Sequence, residues 1–283
     1  MLLYLRTLLF NTGYYSSGII GGTVSLLLWP FLPYPLRWRA VTLWNRFVMW
    51  WLKVTCNIRI KVIDQRQYKN HPVVIMAKHQ STWETLFLQY HLAPVSIILK
   101  KELLRIPFFG WGLASMRPIA IDRSNRMQAL KDVKIKSIER LKQGISVLVF
   151  PEGTRIGLGK IGNYARSGAD IACSTGTPII PVAHNAAECW PHKHFLKYPG
   201  EISIVIGDAI PTEGRDRKTL TEELKNWFNN KVDEIVASVK GADDKSEDVV
   251  TEVNVMLSDN EEISNKLSSF EASITDLNGK IVS

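Results

Sequence analysis

The sequence predicts an α/β fold in which a central mixed sheet, flanked by helices, follows a two-helix segment that is membrane-embedded or amphipathic. Three observations carry that expectation. Six short apolar runs rich in β-branched residues alternate with helix-like stretches between Val73 and Gly207, the pattern of strands covered on both faces. From Thr7 to Leu36 there are thirty residues without Asp, Glu, Lys, Arg or His, and after Gly241 the composition turns acidic. The expected divisions are a membrane-associated helical segment over 1–56, an α/β domain over 57–240 and an acidic tail over 241–283.

The N-terminal apolar run exceeds the ~20 residues that span a bilayer core. Gly18, Gly21, Gly22 and the three prolines of "WPFLPYP" interrupt it, so a shallow or re-entrant helix fits as well as a spanning one. Next, "RWRAVTLWNRFVMWWLK" places Arg39, Arg46 and Lys53 on one helical stripe and Val41, Trp44, Val48 and Trp51 on another. Five of the nine tryptophans (Trp29, Trp38, Trp44, Trp50, Trp51) fall here, where indoles favour the headgroup zone and cations favour anionic lipid. A helical hairpin in the core of a soluble protein is the competing reading, and no small-residue cleavage site follows the run to mark a signal peptide.

The charge balance agrees with an anionic partner. The chain has a formal net charge of +8, but residues 241–283 hold ten acids against three bases, leaving 32 bases against 17 acids in residues 1–240. Such a body suits nucleic acid, a phosphate-bearing substrate or an anionic membrane face. No nucleic-acid-binding module is recognisable, so no specific nucleic-acid partner is expected. Cys56, Cys173 and Cys189 are odd in number, widely spaced and outside any CxxC pair, which predicts free thiols facing a reducing compartment and no metal site.

The six strands are expected at "VVIMA", "VSIIL", "RPIAI", "SVLVF", "PIIPVA" and "ISIVIG". In sheets of this kind chemistry collects beyond the strand ends, and "KHQSTWE" (78–84) follows the first run directly. On one continuous helix His79 and Glu84 would be rotated by ~140° and diverge, so His79 is expected in the turn before the helix with Glu84 reaching back from the first helical turn. Two readings stand side by side. "STWE" matches a capping box with Ser81 as N-cap, and Glu84 also suits a partner that fixes the tautomer of a general base. A second cluster, "FPEGTR", closes the fourth run. Gly153 permits a tight turn there and the Arg155 fork can hold a phosphate or carboxylate, although a plain turn explains the Pro and Gly alone. Between the two lies "KKELLRIPFFGWGLASMRPIAIDR", with Lys100, Arg105 and Arg123 around an aromatic loop.

Taken together, His-x4-acid, K-x-x-L-x-x-x-P-x-x-G ending in "IDR", "FPEGTR" and "IIPVA", in this order along residues 79–183, resemble the glycerophosphate acyltransferase superfamily, and within it the bacterial-type 1-acylglycerol-3-phosphate acyltransferases. The resemblance covers roughly residues 65–215. It implies transfer of a fatty acyl group from a thioester, acyl-CoA or acyl carrier protein, to the sn-2 hydroxyl of lysophosphatidic acid, giving phosphatidic acid. His79 takes the role of general base with Glu84 as its carboxylate partner, where the family usually has aspartate. Lys100 and Arg155 map to the acceptor-phosphate site, with Glu152, Gly153 and Thr154 completing the third motif and Arg123 ending the second. Ile180, Pro181 and Val182 map to an apolar wall associated with the acyl donor, although a buried edge strand would look the same. Neither cofactor nor metal is implied, and the enzyme is expected on the cytoplasmic face of the inner membrane.

In the tail, Val249, Val253, Met256, Asn260, Ile263, Leu267, Phe270, Ile274, Leu277 and Ile281 recur at alternating four and three residue spacing. That is a heptad pattern suited to self-association through 249–281, with Asn260 fixing register. The many serines and the acidity favour instead a solvated, disordered run.

Overall fold

The computed structural model describes residues 1–28, 31–68, 70, 72–122, 124–157, 159–160 and 162–240. Arg123 and the heptads of 249–281 lie outside the described residues. A compact unit spans Met1–Ile235.

Two long helices come first, α1 (Leu2–Leu28) and α2 (Tyr34–Cys56). Pro35 sits in the first turn of α2, where its missing N–H costs nothing. Asn57 ends the helix in the left-handed conformation (φ 54°), returning its N–H to the Lys53 carbonyl. The glycines of α1 do not break it, because close packing uses them. A Cβ at Gly22 would stand 2.2 Å from the Phe108 carbonyl oxygen, so only glycine admits that approach. Arg39, Arg46 and Lys53 are exposed as expected, whereas Val41, Val48, Met49 and Leu52 are buried. Among the described residues no helix is long and apolar enough to cross a membrane.

Among the described residues the sheet has seven strands: β1 (Ile58–Asp64), β2 (Val74–Ala77), β3 (Val95–Lys100), β4 (Ile119–Ile121), β5 (Ser146–Val149), β6 (Ile179–His184) and β7 (Gly200–Ile206). Their spatial order is β1-β7-β6-β2-β5-β3-β4. Among the described strands only the β6–β7 pair is antiparallel, so the sheet is mixed. Helices α3 (Trp83–His91), α4 (Phe109–Ser115), α5 (Arg126–Lys142), α6 (Ser167–Thr175) and α7 (Ala186–Cys189) lie in the connections, and residues 217–240 form a last helix, α8. The strand absent from the sequence expectation is β1. It is an edge strand whose Arg59, Lys61 and Asp64 meet solvent, so it reads as mixed polar sequence rather than as a buried run.

Alternation along the strands divides the core. Ile75, Ala77, Leu148, Ile180 and Val182 join Phe10, Val48, Leu52, Trp83 and Phe87 in one apolar layer beneath α1, α2 and α3. Met76 turns the other way, toward α6, where a Cβ at Gly168 would lie 2.8 Å from its sulfur. Residues Leu220, Leu224 and Phe228 of α8 are buried at helical spacing. The parallel strands β2, β3 and β5 therefore end along one edge, and the loops leaving them meet there.

Candidate active site

At that edge β2 runs into Lys78 and His79 before α3 begins. His79 Nδ1 lies 2.9 Å from Glu84 Oε1, so the histidine stands in the turn and the carboxylate reaches back from the first turn of α3. Glu84 is fully buried and also accepts the N–H groups of Gln80 at 3.0 Å and of Ser81 at 2.9 and 3.0 Å. Burial pushes its carboxyl up, but the hydrogen bond and charge of His79 and the Ser81 N–H outweigh it and hold the group below the usual carboxylate range. One carboxylate thus lies against the His79 ring and also accepts the backbone ahead of the helix, but the N-cap is not Ser81 as expected. Thr82 is the N-cap without a side-chain cap bond, Ser81 Oγ accepts the Trp83 N–H at 3.2 Å, and Glu84 serves the backbone ahead of the helix while it orients His79.

The His79 ring stacks on Phe150, centroids 4.1 Å apart, and is partly exposed. With Nδ1 donating to an ionised carboxylate, Nε2 is the nitrogen left to take a proton.

The loop after β5 clasps the peptide of His79 from both sides. Glu152 Oε2 accepts the His79 N–H at 2.7 Å, and the Ile156 N–H donates to the His79 carbonyl at 2.8 Å. Gly153, at φ +66°, makes the turn between them in a conformation that glycine adopts without strain. Arg155 Nε donates to the Ser81 carbonyl at 2.7 Å, and its Nη1 lies 3.3 Å from His192 Nδ1. The guanidinium is therefore tethered beside the histidine loop, and among the described residues its Nη2 has no hydrogen-bond partner.

Glu152 departs from the role expected of it. Grouped by sequence with the phosphate ligands, it is instead a buried carboxylate paired with Lys78 Nζ at 2.6 Å, and a buried anion has no use for a phosphate. Lys100 ends β3 at the same edge and is exposed, as are Gly153 and Thr154. Ile180, Pro181 and Val182 are all buried, in a strand that lies between β2 and β7 rather than at an edge. None of the three offers surface to a donor. Val182 supports the site from behind, through its carbonyl bond to the Lys78 N–H at 3.1 Å.

Residues that sequence reasoning missed complete the site. His184, fully buried, donates from Nε2 to the Lys78 carbonyl at 3.1 Å and accepts the Ala186 N–H at Nδ1. Burial lowers its pKa, so it is a neutral strut 4.0 Å from the second oxygen of Glu84. The signal for it was faint: a polar residue closing the apolar run "IIPVAH".

Known proteins resemble this chain in sequence and in fold. The profile of the Acyltransferase family matches residues 59–185. A 1-acyl-sn-glycerol-3-phosphate acyltransferase of Pseudomonas aeruginosa is 43% identical over 235 residues, 82% of this chain and 91% of that protein. The chain belongs to the 1-acyl-sn-glycerol-3-phosphate acyltransferase family. Another protein of that name, from Borreliella burgdorferi, is 34% identical over 173 residues, 59% of this chain and 68% of its own length. The crystal structure of the 1-acyl-sn-glycerophosphate (LPA) acyltransferase PlsC from Thermotoga maritima superposes with a TM-score of 0.69 over 83% of this chain and 96% of that one, at 23% identity. It shares the fold. In this acyltransferase, the region matched by the family profile contains His79, Glu84, Glu152, Arg155 and His184 but stops before α8.

Proposed function

We propose that this acyltransferase moves a fatty acyl group from an acyl-CoA or acyl carrier protein thioester to the sn-2 hydroxyl of 1-acylglycerol-3-phosphate, giving phosphatidic acid. The observation that carries this reading is the His79–Glu84 pair 2.9 Å apart, beside an Arg155 anchored to the same loop. The names of the Pseudomonas and Borreliella relatives support the same acceptor.

His79 Nε2 takes the hydroxyl proton as the oxygen adds to the thioester carbonyl. Glu84 stabilises the imidazolium that forms, the C–S bond breaks, and the thiolate leaves and recovers the proton. Arg155 and the exposed Lys100 hold the phosphate, and Arg123 is proposed with them. A thioester is already an activated acyl donor, so the protein's main tasks are orientation and proton transfer.

The acceptor and product are lipids, and the N-terminal helices suit a lipid surface. Leu5, Leu9, Ile20 and Leu27 of α1 and Leu43, Trp50 and Val54 of α2 are all exposed, with Arg39, Arg46 and Lys53 among them. We place these helices within the cytoplasmic leaflet of the membrane.

Acyl transfer by protein in lipid or detergent, with labelled acyl-CoA and acyl carrier protein offered in turn and lysophosphatidic acid as acceptor, tests the reading. His79→Ala is expected to lose about a hundredfold or more in kcat/KM. Equal activity in the variant removes His79 from the chemistry. Product formed only from another lysolipid changes the acceptor.

A further inference from the structure

Next to the base stands a charged pair that the reaction as described does not use. Lys78 and Glu152 meet at 2.6 Å with side chains 4% and 0% exposed. The Lys78 ammonium also donates to the Tyr164 hydroxyl at 3.1 Å and lies 5.5 Å over the Tyr164 ring. Tyr164 in turn stacks on Phe228 of α8, centroids 5.7 Å apart. Because side chains alternate along an extended chain, Lys78 leaves β2 on the α6 and α8 side while His79 points to α3. Glu152 joins the two faces: Oε1 takes the ammonium and Oε2 the His79 N–H.

Stability alone does not account for a buried ion pair, since apolar replacements of the same volume are often neutral or better. Its position gives it another effect. One carboxylate already sits on His79, from Glu84. A second, uncompensated, would add its field to the first and hold the imidazole protonated where a base must be neutral. Glu152 is needed as a backbone acceptor, and Lys78 cancels its charge.

We propose that Lys78 is a positioning residue that neutralises Glu152, so that Glu152 can anchor the His79 peptide while the base responds to Glu84 alone. This rests on the reading of His79 as the general base. The titratable and charged groups facing the ring are Glu84 from α3, Glu152 and Arg155 from the loop after β5, the adjacent Lys78, His184 at the end of β6 and His192 beyond α7. Burial raises the carboxyl of Glu152, in keeping with a charge that depends on its partner.

The test is the acid limb of the kcat/KM profile in Lys78→Met, Glu152→Gln and the double variant, with the His79 imidazole titration followed by NMR in the same proteins. Removing the cation leaves Glu152 as an uncompensated anion beside His79 above its own raised pKa, and there should move the limb to higher pH by about one unit. Removing the anion leaves the cation and should move it to lower pH by a similar amount. The double variant keeps a neutral acceptor at position 152 and should return to the wild-type limb. If a single variant does not fold, the other single and the double still decide the direction and its reversal. A common wild-type limb in all folded variants, or a double variant displaced as far as a single, overturns the proposal. The NMR titration needs no substrate, so it gives its answer even if the acceptor proposed above proves wrong.

Discussion

At the scale of single residues, Glu84 does two jobs at once. It accepts His79 on one oxygen and backbone N–H groups on both, and its pKa lies below the usual value. A carboxyl lowered in this way stabilises the fold above its unfolded pKa of about 4.3, and that contribution is lost as pH falls through the folded value. Thermal melts of wild type and Glu84→Gln should therefore differ at neutral pH, with the wild type more stable, and converge only as pH falls through the lowered pKa of Glu84. A constant gap across that range would show that Glu84 acts by shape alone. The placement of His79, Glu84 and Arg155 around one loop was legible because it follows from residue type and spacing beside a strand end. Glu152 and His184 were not, because which way a buried polar group turns is set by the strands on either side, and β6 lies 100 residues and more along the chain from β2.

Among the elements, the central strands were legible from their continuous apolar runs, and α2 from its stripes. The edge strand β1 escaped because its burial alternates only at its first residues. The "IIPVA" run suggests an apolar wall for the acyl donor, or a buried edge strand, yet its pairing with both β2 and β7 puts it buried in the middle of the sheet. Sequence told that the run was apolar but not what flanked it. The exposed apolar side chains of α1 and α2 give the element-scale prediction. Leu5→Glu with Leu9→Glu should cut binding to vesicles of anionic phospholipid at least tenfold, while activity on detergent-dispersed substrate stays within about twofold. Unchanged vesicle binding, measured by flotation, would leave α1 without a membrane role.

At the scale of the molecule, the opposition between a basic body and an acidic tail was plain from composition. The tail's heptads predict association between copies: a peptide covering 246–283 should gain helicity with concentration in circular dichroism, and a concentration-independent coil spectrum would argue for a solvated tail instead. The C-terminal helix was read only as part of a domain, although through Phe228 and Tyr164 it buttresses the ion pair behind His79. Contacts of that kind are between residues distant in sequence and leave no local pattern. The clasp of residues 152 and 156 on the peptide of His79 has a geometric corollary. Arg155 sits inside the clasp, so the base and the guanidinium belong to one rigid gauge rather than to two walls that could drift apart. With the roles proposed for His79 and Arg155, a ligand is measured by the span between its phosphate and its free hydroxyl, and a lysolipid whose hydroxyl stands one carbon farther from the phosphate should arrive out of step with His79 however well its headgroup is held.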